Sequence, residues 1–139
     1  MCGIAGVFNY QAEAVDPAIV KQMTQQLIHR GPDDEGLWMD DYVGLGHRRL
    51  AIIDPTPAGH QPMKSSDGRY VLSYNGEIYN FREIRDELRK KGYSFFSGSD
   101  TEVVLQAWAC WGKKALSRFN GMFAFALWDR KEERLVLAR

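Results

Sequence analysis

The run Met122-Phe123-Ala124-Phe125-Ala126-Leu127-Trp128 limits the possible fold more than any other stretch of the chain. It has no polar residues to turn toward water at alternate positions, so as a strand it belongs at the centre of a sheet covered on both faces. Asp129 to Glu133 then turn the chain, and Arg134-Leu135-Val136-Leu137-Ala138-Arg139 begins another strand. At 139 residues the chain makes one domain, large enough to bury a sizeable core. A sequence that stops inside a strand, with no turn or cap after it, is expected to be a fragment or to leave a sheet edge unsatisfied.

Other strands and helices follow from period and punctuation. Residues 3–8, Leu37 to Met39 and Val43 to Ile53 read as strands, the last two joined by a tight turn at Asp40-Asp41. Ser66-Asp67-Gly68 is a hairpin signal that leads into a strand over Tyr70 to Tyr74, and Tyr93 to Phe96 is a short strand. Asp16-Pro17 reads as N-cap and first residue of a helix whose stripe is Ile19, Val20, Met23 and Leu27, ending before Gly31-Pro32. Asn80 with Glu83 forms a capping box, with Tyr79 against Ile84 as staple and Phe81, Ile84 and Leu88 as the buried side. The basic residues Arg85, Arg89, Lys90 and Lys91 of that helix face outward, and Gly92 ends it. Ser99 and Glu102 repeat the capping pattern before Val103, Val104, Ala107, Trp108 and Trp111, and Lys113 to Phe119 make a short connecting helix.

Composition excludes several functions. Lysine plus arginine (18) balances aspartate plus glutamate (18), so nothing favours nucleic acid or an acidic membrane. No basic segment precedes the first apolar run, as a signal peptide would need, and no apolar stretch is long enough to span a bilayer. Two cysteines do not make a disulfide framework, so a reduced, cytoplasmic setting is expected, with Cys110 a small buried hydrophobe on a helix stripe. No metal-ligand spacing is present, and His47 and His60 read as hydrogen-bonded structural residues.

The chemistry begins at Cys2. If Met1 is removed, Cys2 carries a thiol, with a pKa of about 8.5, and an α-amine, with a pKa of about 7.7–8.0, so the amine can act as the thiol's own base. Position alone does not separate such a residue from an accident of composition. Gly3 and Gly6 leave the backbone beside it clear of side chains. Arg48 and Arg49 sit among apolar neighbours, where an arginine is costly unless it meets an anion; either is a carboxylate clamp or both lie on a solvated face. Asn75-Gly76 is by default a turn, yet an Asn amide beside a Gly N–H also supplies two neutral donors for an oxyanion. Asp100 reads either as a helix N-terminal carboxylate or as the reader of a substrate ammonium. The charged turn Arg30-Gly31-Pro32-Asp33-Asp34-Glu35-Gly36 reads as a surface loop.

Taken together, Met1-Cys2-Gly3-Ile4-Ala5-Gly6, Arg30-Gly31-Pro32-Asp33, Gly46-His47-Arg48-Arg49-Leu50-Ala51-Ile52-Ile53-Asp54, Tyr74-Asn75-Gly76-Glu77-Ile78-Tyr79-Asn80, Gly98-Ser99-Asp100-Thr101-Glu102 and Asn120-Gly121-Met122-Phe123-Ala124-Phe125-Ala126 resemble a known family. It is the N-terminal glutaminase domain of glutamine-hydrolysing asparagine synthetases, the class II glutamine amidotransferases. The resemblance covers residues 1–139 and implies an α+β fold, the four-layer αββα sandwich of N-terminal nucleophile hydrolases, incomplete at its C-terminus. It implies Cys2 as nucleophile, and Asn75 and Gly76 as oxyanion donors. It further implies Arg49 on the glutamine α-carboxylate, Glu77 and Asp100 on the α-ammonium, and Leu50, Ile52 and Ile53 lining the pocket. It implies no cofactor in this chain; ATP and magnesium belong to a synthetase domain, here missing, that amidates aspartate. L-Glutamine is the implied substrate, and a homodimer is one assembly the resemblance allows. Two other readings stand beside this one: a truncated, non-catalytic binding or assembly module, and the glutaminase domain of another class II branch.

Overall fold

The computed structural model describes all residues from Met1 to Arg139. Its strands are β1 (Gly3–Phe8), β2 (Asp34–Asp40), β3 (Val43–Arg49), β4 (Met63–Lys64), β5 (Tyr70–Ile78), β6 (Gly121–Asp129) and β7 (Arg134–Ala138). The helices are α1 (Pro17–Gln25), α2 (Phe81–Lys90) and α3 (Asp100–Trp111), with 3₁₀ segments at Pro57–Gly59 and Gly112–Arg118. Two antiparallel sheets result, in the orders β1-β3-β2 and β4-β5-β6-β7.

Alternation along the strands builds the layers. Val43 and Leu45 of β3 meet Val71, Ala126 and Trp128 of the second sheet in one buried cluster between the sheets. Leu72 and Tyr74 of β5, with Phe125 and Leu127 of β6, turn the other way and pack on Ile84, Leu88, Val103, Val104 and Ala107 from α2 and α3. The apolar run of β6 thus serves two cores at once. On the far side of the first sheet, α1 lies against two glycines of β3. A Cβ on Gly44 would come 2.7 Å from Val20, and one on Gly46 would strike Thr24. The layer order is therefore α1, first sheet, second sheet, then α2 with α3.

Several elements differ from the sequence expectation, each for a tertiary reason. Helix α1 ends at Gln25, and it buries Val20 and Thr24 while Ile19 is 51% exposed and Met23 also faces solvent. Its contact with two glycines is too narrow for a four-residue stripe. Strand β3 stops at Arg49 rather than Ile53, and β5 continues to Ile78 instead of turning at Asn75-Gly76 because β6 pairs with it from Tyr70 to Ile78. Tyr93 to Phe96 form no strand; the N–H groups of Phe96 and Ser97 donate to the carboxylate of Glu102. Asn80 does not cap α2 with its side chain, which instead bridges Arg118 and Asn120, and Tyr79 stays exposed. Cys110 is half-buried against the outer core.

Candidate active site

Cys2 lies one residue before β1, and Gly3 pairs with Arg48, so the thiol sits beside the end of β3. The Leu50 N–H donates to Cys2 Sγ at 3.3 Å, and the thiol faces the Leu50 carbonyl at 3.7 Å. Arg30 Nε donates to the Cys2 carbonyl at 3.0 Å. Asp33 Oδ2 accepts from the Ala51 N–H at 2.8 Å, so the Arg30–Asp33 loop braces both Cys2 and the segment that carries Leu50 and Ile52. That loop read only as surface in the sequence.

The alternation of β3 separates its two arginines. Arg48 turns outward, where it donates to the Gly31 carbonyl at 2.8 Å and pairs with Glu35 at 2.9 Å. Arg49 turns toward the cavity. Its terminal nitrogens also hold the loop that follows, donating to the carbonyls of Thr56 at 2.9 Å and of Asp54. Asp54 in turn accepts from the Gly98 N–H at 2.6 Å, tying this loop to the start of α3. Arg49 is thus partly occupied by its own chain, which a bare anion clamp would not be.

On the second sheet, β4 covers only Val71 and Leu72 of β5. Beyond it the edge of β5 is closed by side chains. Gln61 Oε1 accepts from the Tyr74 N–H at 2.7 Å, and the Tyr74 carbonyl accepts from His47 Nε2 at 2.9 Å. Asp100 Oδ2 accepts from the Ile78 N–H at 3.1 Å and from the Tyr74 hydroxyl at 2.9 Å. The β5–β6 register is unbroken, so Gly76, midway between Tyr74 and Ile78, turns its N–H toward that same edge. The Asn75 side chain lies on the face of the sheet turned toward β3, as its neighbour in alternation Ser73 does.

These groups enclose one cavity of about 120 Å³. Cys2, Arg49, Leu50, Ile52, Ile53, Asn75, Gly76, Glu77 and Asp100 all line it. So do Met1, Gln61, Tyr74, Ser99, Thr101 and Met122, none of which the sequence singled out as a site residue. Gln61 lies in a loop whose composition says nothing of its partner. Tyr74 carries the one usable signal, because a tyrosine buried on a core strand needs a partner for its hydroxyl.

The lining carries both signs of charge, Arg49 against Asp100 and Glu77. Asp100 is only 3% exposed. Burial raises its pKa, opposed by the Ile78 N–H and the Tyr74 hydroxyl, and the Tyr74 phenol is itself pushed well above its usual range by burial and by Asp100. No group of three or more His, Cys, Asp or Glu side chains is placed to hold a metal ion. His60 bonds Asp34 at 2.7 Å and His47 the Tyr74 carbonyl, both hydrogen-bonded within the fold.

Two antiparallel sheets packed face to face between helices, with a cysteine entering the first strand at a shared cavity, define an N-terminal nucleophile sandwich. The chain belongs to the glutamine amidotransferase domain family, whose profile matches residues 1–139. It is 46% identical over its whole length to asparagine synthetase [glutamine-hydrolyzing] 1 of Bacillus subtilis, of which it covers 22%. It is 39% identical to asparagine synthetase B [glutamine-hydrolyzing] of Escherichia coli, of which it covers 25%. The chain thus spans about a quarter of the length of these relatives. Among solved structures, glutamine phosphoribosylpyrophosphate amidotransferase from B. subtilis superposes with a TM-score of 0.76 over 93% of this chain and 35% of that one, at 21% identity, a likeness of fold. No helix is long and apolar enough to cross a membrane.

Proposed function

We propose that the cavity hydrolyses the side-chain amide of L-glutamine. The observation that carries this is the meeting of Cys2, Arg49, Asn75, Gly76 and Asp100 around one space. Removal of Met1 frees the α-amine of Cys2. That amine takes the thiol proton as Sγ attacks the amide carbon, then passes it to the departing nitrogen, so ammonia leaves and a γ-glutamyl thioester remains. Water, deprotonated by the same amine, attacks the thioester and releases glutamate and the Cys2 thiol. The Asn75 amide and the Gly76 N–H stabilise the oxyanion in both halves. Arg49 holds the α-carboxylate, Asp100 and Glu77 hold the α-ammonium, and Leu50, Ile52 and Ile53 wall the side chain. The residues of this chain need no cofactor for these steps.

The relatives are named asparagine synthetase [glutamine-hydrolyzing], which favours a reading in which the ammonia serves asparagine synthesis. In that reading ATP and magnesium belong to a synthetase domain that amidates aspartate, the setting is the cytoplasm, and a homodimer is the candidate assembly. The test is glutamate release from L-glutamine by protein whose intact mass shows Met1 removed. Cys2→Ala and a variant that retains Met1 are expected to release none. Normal turnover by Cys2→Ala would refute the nucleophile.

A further inference from the structure

His47 is wholly buried, yet the proposed reaction gives it nothing to do. It sits on the inward face of β3, two residues before Arg49, and reaches across the gap between the sheets to the Tyr74 carbonyl at 2.9 Å. Because a carbonyl only accepts, Nε2 carries the proton, and Nδ1 is left bare with no partner. Burial lowers the pKa of the imidazole to about 4, so it stays a neutral, single-proton donor at physiological pH. Beside it, Ser73 Oγ donates to the Gly46 carbonyl at 3.3 Å, a second stitch between the same two strands.

The place of this contact matters. Strand β4 ends before Tyr74, so no neighbouring strand fixes that edge of β5. The next residues along that edge are Asn75 and Gly76, while β3 and its partner β1 deliver Arg49 and Cys2. The gap between nucleophile and oxyanion donors is therefore a gap between two sheets. We infer that His47 is a positioning residue: its hydrogen bond to the Tyr74 carbonyl sets the height of the Asn75-Gly76 donor edge above Cys2. This inference rests on the glutaminase reading of the site.

A donor edge displaced by a fraction of an ångström still admits glutamine, whose charged end is held by other groups, but meets the oxyanion poorly. The test compares His47→Leu, which removes the donor at similar volume, with His47→Gln, whose amide N–H reaches a comparable distance. The readouts are kcat and KM for L-glutamine, with hydrogen exchange at the Tyr74 and Ile78 amides. His47→Leu is expected to lose about 10- to 100-fold in kcat with KM within about twofold, since oxyanion contacts act only in the transition state. Its Tyr74 and Ile78 amides should exchange faster, and His47→Gln should restore both readouts most of the way. Should His47→Leu not fold, His47→Asn, whose donor stops short of Tyr74, takes its place with the same expectation. Unchanged kcat in the folded variant, or an equal loss in the Gln variant, overturns the inference. Wild-type protein that turns over no glutamine would instead sink the glutaminase reading; exchange at Tyr74 and Ile78 then decides on His47 alone, and no change there overturns it.

Discussion

Replacing Asp100 by asparagine should make the protein more stable and its glutamine binding worse. The side chain is 3% exposed, and its Oδ2 accepts from the Tyr74 hydroxyl and the Ile78 N–H. The asparagine oxygen can take both bonds, so the edge of β5 keeps its partners, while the N–H groups of Asp100 and Thr101 lose a charged acceptor. Burial raises the folded-state pKa of Asp100 above its ordinary 3.8. A carboxyl raised in the fold contributes stability below its unfolded pKa and loses it as pH rises through the folded value. Asp100→Asn should therefore match wild type below about pH 3.8 and exceed it above the folded pKa. If Asp100 meets the substrate ammonium, the variant forfeits a charge-assisted hydrogen bond of about 1.5–3 kcal/mol, which raises KM roughly 10- to 150-fold. The ammonium lies at the far end of glutamine from the reacting amide, so kcat should hardly change. The assay is glutamate release against glutamine concentration, paired with urea unfolding at pH 3.5 and pH 7. A KM within twofold of wild type would remove Asp100 from the ammonium site. A variant less stable than wild type at pH 7 would refute the electrostatic argument.

Other perturbations address the frame around the site. Gly46→Ala should cost about 1–3 kcal/mol, since its Cβ would strike Thr24 across the α1 contact; Thr24→Ala should recover part of that in urea unfolding, and additive losses would speak against the contact. Burial alone would raise Asp129, but the paired hydrogen bonds from Arg69 and the N–H groups of Glu132 and Lys131 hold it below the usual carboxylate range. Arg69→Met should therefore destabilise the fold in urea unfolding at pH 7, by less than a fully buried pair would because Arg69 is a third exposed, and by still less in acid. His47, neutral in the fold down to about pH 4, makes the fold lose stability as pH falls from 6.5 toward 4. His47→Gln should flatten that slope in denaturant midpoints taken across the range, and an unchanged slope would show that another group sets it.

Much of the site was legible in the sequence. Cys2 offers a thiol with a base on the same residue, yet its position alone does not set it apart, and the other five segments of the resemblance single it out. Arg49, Asn75, Gly76, Glu77 and Asp100 were found through a resemblance spread over six segments, and all of them line one cavity. Gln61 and Tyr74 escaped, because what matters in each is a partner distant in sequence.

Local order was decided within the sequence wherever a short-range rule had no rival: Asp16 caps α1, Ser99 caps α3, and the apolar run of β6 needs a core on each face. Elsewhere the tertiary structure prevailed. Asn75-Gly76, a turn by composition, became the middle of a strand because β6 pairs with β5 along its whole length. Residue chemistry alone left Arg48 and Arg49 equal, and only the resemblance favoured Arg49; strand alternation sends one to Glu35 and the other to the cavity. The Asn80 side chain left its helix for Arg118 and Asn120. At Asn75-Gly76 a turn worth about 1 kcal/mol competes with a row of sheet hydrogen bonds, and at Asn80 a cap of similar worth competes with two partners distant in sequence; only the assembled fold supplies either.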